Sequence, residues 1–157
     1  MPLTHHQSDI LPDGASWREV LPALARGDRK IYLQGLTPAA AAYVLARLFQ
    51  RAHRPFLVVT TNTAAHEIFF KDLAFFAADS EAAGSVPWPR LLLFPAHEVL
   101  PFKELSFETD VSCARVGGAY VALASREPWL LVAPAAALRQ KLPPPESLQE
   151  ALIYVVA

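Results

Sequence analysis

Tyr32-Leu33-Gln34-Gly35-Leu36-Thr37-Pro38-Ala39-Ala40-Ala41-Ala42 decides how the rest of this chain is read. An apolar run at 30–33 leads into Gly35; an Ala-rich helical stretch follows, and then a second apolar run at 56–60. Strand, loop, helix, strand is the setting of a phosphate-binding loop, whose working form reads G-x-x-x-x-G-K-[ST]. With the frame started at Gly35, the second Gly is Ala40, the Lys is Ala41 and the Ser or Thr is Ala42. No ammonium remains to reach the β- and γ-phosphates, and no hydroxyl remains to ligate Mg²⁺. As a turn into a helix the stretch is well made: Thr37 suits the N-cap and Pro38 the first helical position.

Outward from this loop the hydrophobic pattern alternates between the two regular periods. Helices are expected over 17–26, with Ser16 as cap and Trp17, Val20, Leu21 and Leu24 on one face, and over 37–52, with Tyr43, Val44 and Leu48 inward. A third runs over 64–77, capped by Asn62 or Thr63, with Ile68, Phe69, Leu73 and Phe76 inward. A fourth runs to about 125, capped by Thr109 or Asp110, and a short one covers 135–141. Strands are expected at 30–33, 56–60, 90–94 and 129–133, the continuous apolar runs of parallel strands buried on both faces. Gly117 and Gly118 inside the fourth helix each cost about 1 kcal/mol against Ala, which close helix–sheet approach would offset. Pro143-Pro144-Pro145 reads as a stiff connector. The fold class is therefore α/β, a three-layer parallel sheet like that of RecA and the P-loop NTPases, with a degenerate loop. Residues 1–15 read as a flexible arm and 16–150 as the domain. Residues 151–157 read as an edge strand or the start of a following segment. An apolar strand ending without cap or turn would leave an exposed edge, so the chain is expected to be a fragment of a longer protein; a natural terminal strand is the alternative.

Composition narrows the function classes. Hydrophobic residues make up 53% of the 157 residues, which excludes a disordered chain. Fourteen basic residues against 15 acidic ones give a net charge of −1, without the basic surplus of a dedicated nucleic-acid clamp. No apolar run approaches the about 18 residues of a membrane span. A single cysteine, Cys113, cannot form an internal disulfide and suits a reducing, cytoplasmic setting; it is expected to be a buried packing thiol. Arg47, Arg51, His53 and Arg54 cluster at the end of the second helix. They complement its dipole there, an anion or DNA patch being the alternative.

Catalytic chemistry is hard to place. A nucleotide hydrolase needs a carboxylate at a strand end to hold its metal. The third strand ends Leu93-Phe94-Pro95-Ala96 and the fourth Val132-Ala133-Pro134, neither with an acid. A zinc helix starting at His97-Glu98 would need His where Pro101 stands, and one at His66-Glu67 would need His where Phe70 stands. No catalytic residue, functional cofactor-binding residue or metal ligand is assigned. The degenerate loop spans Gly35, Leu36, Thr37, Pro38, Ala39, Ala40, Ala41 and Ala42.

The run from Leu93 to Asp110 resembles the "FPxWETLPYxxxSPxxD" stretch in the N-terminal module of the bacterial transcription-repair coupling factors. Phe94, Pro95, Glu98, Leu100, Pro101, Phe102, Ser106 and Asp110 match, and Arg115 falls where the family has the Arg of its next helix. The run from Leu131 to Pro145 is similar to the family's "hVxPVxALxQRhxP", and Gly35-Leu36-Thr37 to its loop relic "GLTG". Two positions depart: His97 replaces the Trp, and Phe102 the Tyr. The resemblance covers roughly 17–157. It implies a module similar to the excision-repair helicase UvrB, without that protein's working loop or its Tyr-rich hairpin, which would lie between Phe94 and Asp110. It further implies a non-catalytic scaffold. An adjacent inserted domain would bind UvrA; distant domains would bind RNA polymerase and DNA, with ATP and Mg²⁺ in the motor domains alone. A stand-alone nucleotide- or DNA-binding module is the competing expectation.

Overall fold

The computed structural model describes the backbone of residues 17–81, 91–97 and 109–150. The expected arm at 1–15, the final strand at 151–157, and Glu98, Leu100, Pro101, Phe102 and Ser106 lie outside the described residues. Those that are described divide into two units, one ending at Leu36 and one beginning at Thr37.

In the first unit, helix α1 spans Trp17–Arg26 as its pattern requires. Gly27 ends it in the left-handed region, at φ 81°. There the Gly27 N–H donates to Leu24 O at 3.2 Å and the Asp28 N–H to Ala23 O at 3.0 Å, the paired closure that satisfies two otherwise orphaned carbonyls. The expected strand at 30–33 is absent: the backbone there belongs to no ladder, and Tyr32 is 79% exposed. An apolar run supplies a strand's face but not its partner, and without a neighbouring ladder no strand forms.

The second unit holds the sheet. Its elements are α2 (Pro38–Ala52), β1 (Phe56–Thr60), α3 (Thr63–Glu81), β2 (Leu91–Leu93), α4 (Thr109–Ala124), β3 (Leu130–Pro134), α5 (Ala135–Leu138) and α6 (Pro145–Glu150). The three strands are parallel in the order β1-β3-β2. β3 is central and buried throughout. Its side chains alternate between two layers, as the period-2 geometry of a strand demands. Leu130 and Val132 join Ala42, Ala46 and Phe49 of α2 and Leu73 of α3. Leu131 and Ala133 join Phe94, Ala119 of α4, Ala137 of α5 and Leu148 of α6. Burying each such Leu or Val contributes about 1.5–3 kcal/mol.

Local signals set the element ends. Thr37 caps α2, and its Oγ1 accepts the Ala40 N–H at 3.3 Å. Asn62 caps α3, its Oδ1 accepting the Ala65 N–H at 2.8 Å. His53 closes α2 in the left-handed region at φ 46°, and Phe49 then meets Phe56 edge-on with ring centroids 5.6 Å apart, fixing the turn into β1.

Several expectations are corrected. α4 begins at Thr109, so Thr109 and Asp110 lie in its first turn. α5 ends at Leu138, short of 141, and Pro145 opens α6 instead of extending a connector; Pro is well suited to a first helical turn. β1 is not buried on both faces: Leu57 and Val59, whose register partners are the covered Leu131 and Ala133, are half exposed. Ile68 points outward rather than into the core, and Cys113 is exposed. The inward face of α4 belongs to Arg115, Gly118 and Ala119, which turns Cys113 to the opposite side.

The two helical glycines differ in role. A Cβ on Gly118 would lie 3.2 Å from Phe94 Cδ2 and 3.6 Å from Leu131 Cδ1, so this is the point of close helix–sheet approach; a Cβ on Gly117 would meet nothing. Gly117→Ala is therefore expected to stabilise by about 0.5–1 kcal/mol and Gly118→Val to destabilise by about 1–3 kcal/mol. Urea denaturation of the two variants would show the opposite signs.

Candidate functional site

At the start of α2 the expected loop positions serve structure. Ala39 is exposed, and Ala40 and Ala41 are half buried. The Ala40 amide is taken by Thr37 Oγ1, and the Ala41 amide donates to Thr37 O at 2.9 Å. Ala42, in the frame position of the metal-binding hydroxyl, is fully buried in the cluster with Leu73, Leu130 and Val132. Gly35, in the other unit, adopts φ 78°, which its missing Cβ permits.

A second cluster forms where the chain leaves β2. Phe94 continues the ladder, its N–H donating to Val132 O at 2.9 Å. Arg115 reaches in from α4 and is only 2% exposed. Its Nη1 donates to Pro95 O at 2.8 Å, and both terminal nitrogens lie 3.5 Å from Ala137 O. Its guanidinium carbon stands 4.6 Å from the centre of the Phe94 ring, a cation–π contact strengthened by desolvation. No carboxylate pairs with it among the described residues. Burial pulls its pKa below the ordinary guanidinium value, yet an arginine side chain stays protonated in proteins. Two carbonyls and one ring face thus stand in for the water the cation has lost.

Gln140 completes the anchor. Its Nε2 donates to His97 O and its Oε1 accepts the His97 N–H, both at 2.9 Å, so the side-chain amide acts as one more strand residue. Burial, and secondarily the Arg115 charge, hold His97 below the usual imidazole pKa. Phe94, Pro95 and Arg115 are therefore brought together, while Asp110 lies exposed in the first turn of α4, where its charge favours the helix dipole. Gln140 was not singled out by residue chemistry; its signal was the Gln of the second matched segment. The donors of this cluster are turned on backbone carbonyls, and it contains no nucleophile–base pair.

His66, in the first turns of α3, is 1% exposed, and neither ring nitrogen has a hydrogen-bond partner. Desolvation depresses its pKa, partly opposed by Glu67. A neutral imidazole is the form this site accepts.

Fold and site together define a parallel α/β domain whose strand exits are tied down by a buried arginine and a glutamine. Over 131 residues, 83% of the chain, it is 34% identical to the transcription-repair-coupling factor of Myxococcus xanthus. The chain belongs to the transcription-repair-coupling factor family. It spans 11% of that relative's length. No family model and no solved structure matches it.

Arg115→Met is expected to destabilise by about 1–3 kcal/mol, because Pro95 O loses its donor; Arg115→Lys, lacking the planar fork, should recover little of this in urea denaturation. His66 supplies a pH test. Its folded pKa lies below the unfolded value, so the unfolded chain binds the proton more readily. Stability is full above the ordinary imidazole value of about 6.5 and falls as pH drops below it, by up to about 1.4 kcal/mol per pH unit. Melting temperatures between pH 7.5 and 5.5 should decline, and His66→Phe should flatten most of that decline.

Proposed function

We propose that this chain is a catalytically silent, UvrB-like scaffold domain of a transcription-repair coupling factor, acting in transcription-coupled nucleotide excision repair. The observation that carries this is Ala42. A working loop places its Mg²⁺-binding hydroxyl at that frame position, whereas here the position is packed against Leu73 and Leu130 inside the core. Two further facts support it: Ala41 offers no ammonium, and the Ala40 amide is already engaged by Thr37. The matched relative is a coupling factor about nine times the length of the matched region, so there is room elsewhere in such a protein for a motor.

By family resemblance, the domain carries a neighbouring UvrA-binding domain. The ATP-driven DNA translocase and the RNA-polymerase contact reside in other parts of the parent protein. The domain's contribution is then shape and placement. The Arg115 and Gln140 anchors suit that task, because they fix where the chain leaves β2.

Isothermal titration of the chain with Mg-ATP is expected to show no binding; micromolar affinity would overturn the proposal. Restoring the motif should not restore the function: Ala42→Thr buries a hydroxyl and is expected to destabilise by about 1–3 kcal/mol. The Ala41→Lys/Ala42→Thr double variant should still fail to bind Mg-ATP. Salt-dependent DNA binding by the chain would favour the stand-alone module instead.

A further inference from the structure

α3 is apolar on nearly every side, a composition usual for helices enclosed by other elements. Its outer side is open: Ile68 is 59% exposed and Phe75, two turns along the same face, 70%. Phe75 is the end of a connected line of contacts. Its ring meets Phe76 edge-on at 5.3 Å, and Phe76 meets Tyr43 of α2 edge-on at 5.3 Å. The Arg47 guanidinium stands 5.2 Å from the centre of the Tyr43 ring, and Arg47 Nη1 donates to Gln50 Oε1 at 3.4 Å. The line runs from an apolar end on α3 to a cationic end on α2.

Charge is distributed to match. Between Asp28 and Glu67 the chain has no Asp or Glu, although its net charge is −1. Arg51, His53 and Arg54 are exposed around the end of α2. The sequence of α3 carries Glu67, Asp72, Asp79 and Glu81 against Lys71, so the acids lie on α3 and the arginines on α2.

We propose that this surface docks an acidic amphipathic helix of a partner protein, with apolar side chains over Ile68 and Phe75 and carboxylates over Arg47, Arg51 and Arg54. Phe, Tyr and Arg are enriched at protein interfaces, and Tyr and Arg are among the types that dominate their binding energy. Edge-to-face packing already orders the rings, so less side-chain freedom is lost on docking. Guanidinium groups pair with carboxylates in a two-point geometry. A nucleic acid fits less well: its uniformly charged backbone would meet Glu67 and Asp72, whereas a helix can confine its acids to the α2 end. The inference does not depend on the proposed repair role, and its test has no repair or nucleotide readout.

The probe is a fluorescein-labelled helical peptide with Leu on one face and Glu on the other, followed by anisotropy. Its Lys-for-Glu counterpart and a short DNA, single- and double-stranded, serve as competing ligands. The Glu peptide is expected to bind, more weakly as salt is raised. Phe75→Ser and, separately, Arg47→Gln/Arg51→Gln should each reduce affinity about tenfold or more, while Lys141→Gln should not. Circular dichroism and urea midpoints confirm that each variant is folded, and the two variants probe opposite ends of the surface. No binding of the Glu peptide overturns the proposal. So does equal binding of the Lys peptide, indifference to both variants, binding of DNA alone, or self-association that Phe75→Ser abolishes in sedimentation.

Discussion

Everything in the second unit depends on β3 being buried on both faces. Five residues, Leu130–Pro134, have no exposed side, and over Leu130–Val132 the strand is paired on both edges. Leu130 and Val132 require an apolar layer on one side, and α2 and α3 supply it. Leu131 and Ala133 require another, and α4, α5 and α6 supply that. Small residues make the approach possible: Ala42 and Ala46 on one side, Gly118 and Ala119 on the other. A bulkier side chain at any of these would force the helices off the sheet.

That constraint also governs the start of α2. A functional loop must keep polar side chains near the start of its helix and turn its amides toward a ligand. Here the helix start serves packing and capping. Ala42 lies in the core and Thr37 satisfies the Ala40 amide. On the opposite layer the buried polar group is Arg115, and its charge is held by the carbonyls of Pro95 and Ala137 and the ring of Phe94. Arg115 and Gln140 do for the strand exits what a ladder does for strands: they engage the backbone groups of Pro95, Ala137 and His97, which lie beyond the ladder.

Much of this was legible residue by residue. Thr37-Pro38 and Asn62 announced two helix starts, and the α1, α2 and β1 boundaries followed from caps, glycines and apolar runs. The motif residues Phe94, Pro95 and Arg115 do meet in space. Other features were not legible for definite reasons. The run at 30–33 has a strand's composition, but a ladder is a property of two segments. Ile68 lies on the side of α3 opposite the buried His66, Leu73 and Ala77, and only the position of α2 beside α3 decides which part of an all-round apolar helix is covered. Cys113 was expected inside because thiols usually are, whereas Arg115 and Gly118 claimed the inward face.

The sequence by itself determined the α/β class, the main helix starts, the run of alanines at Ala40, Ala41 and Ala42 that offers neither ammonium nor hydroxyl, and the segments that mark the family. These are local or compositional properties, readable wherever a side chain's own chemistry and its near neighbours decide the outcome. Only the tertiary structure decided the β1-β3-β2 order, the burial of His66 without a partner, the clasp of Gln140 on His97, and the exposure of Phe75. Each of these depends on which segments, distant along the chain, come to lie within contact distance. That is set by the collective packing of both layers on β3, which no single stretch encodes.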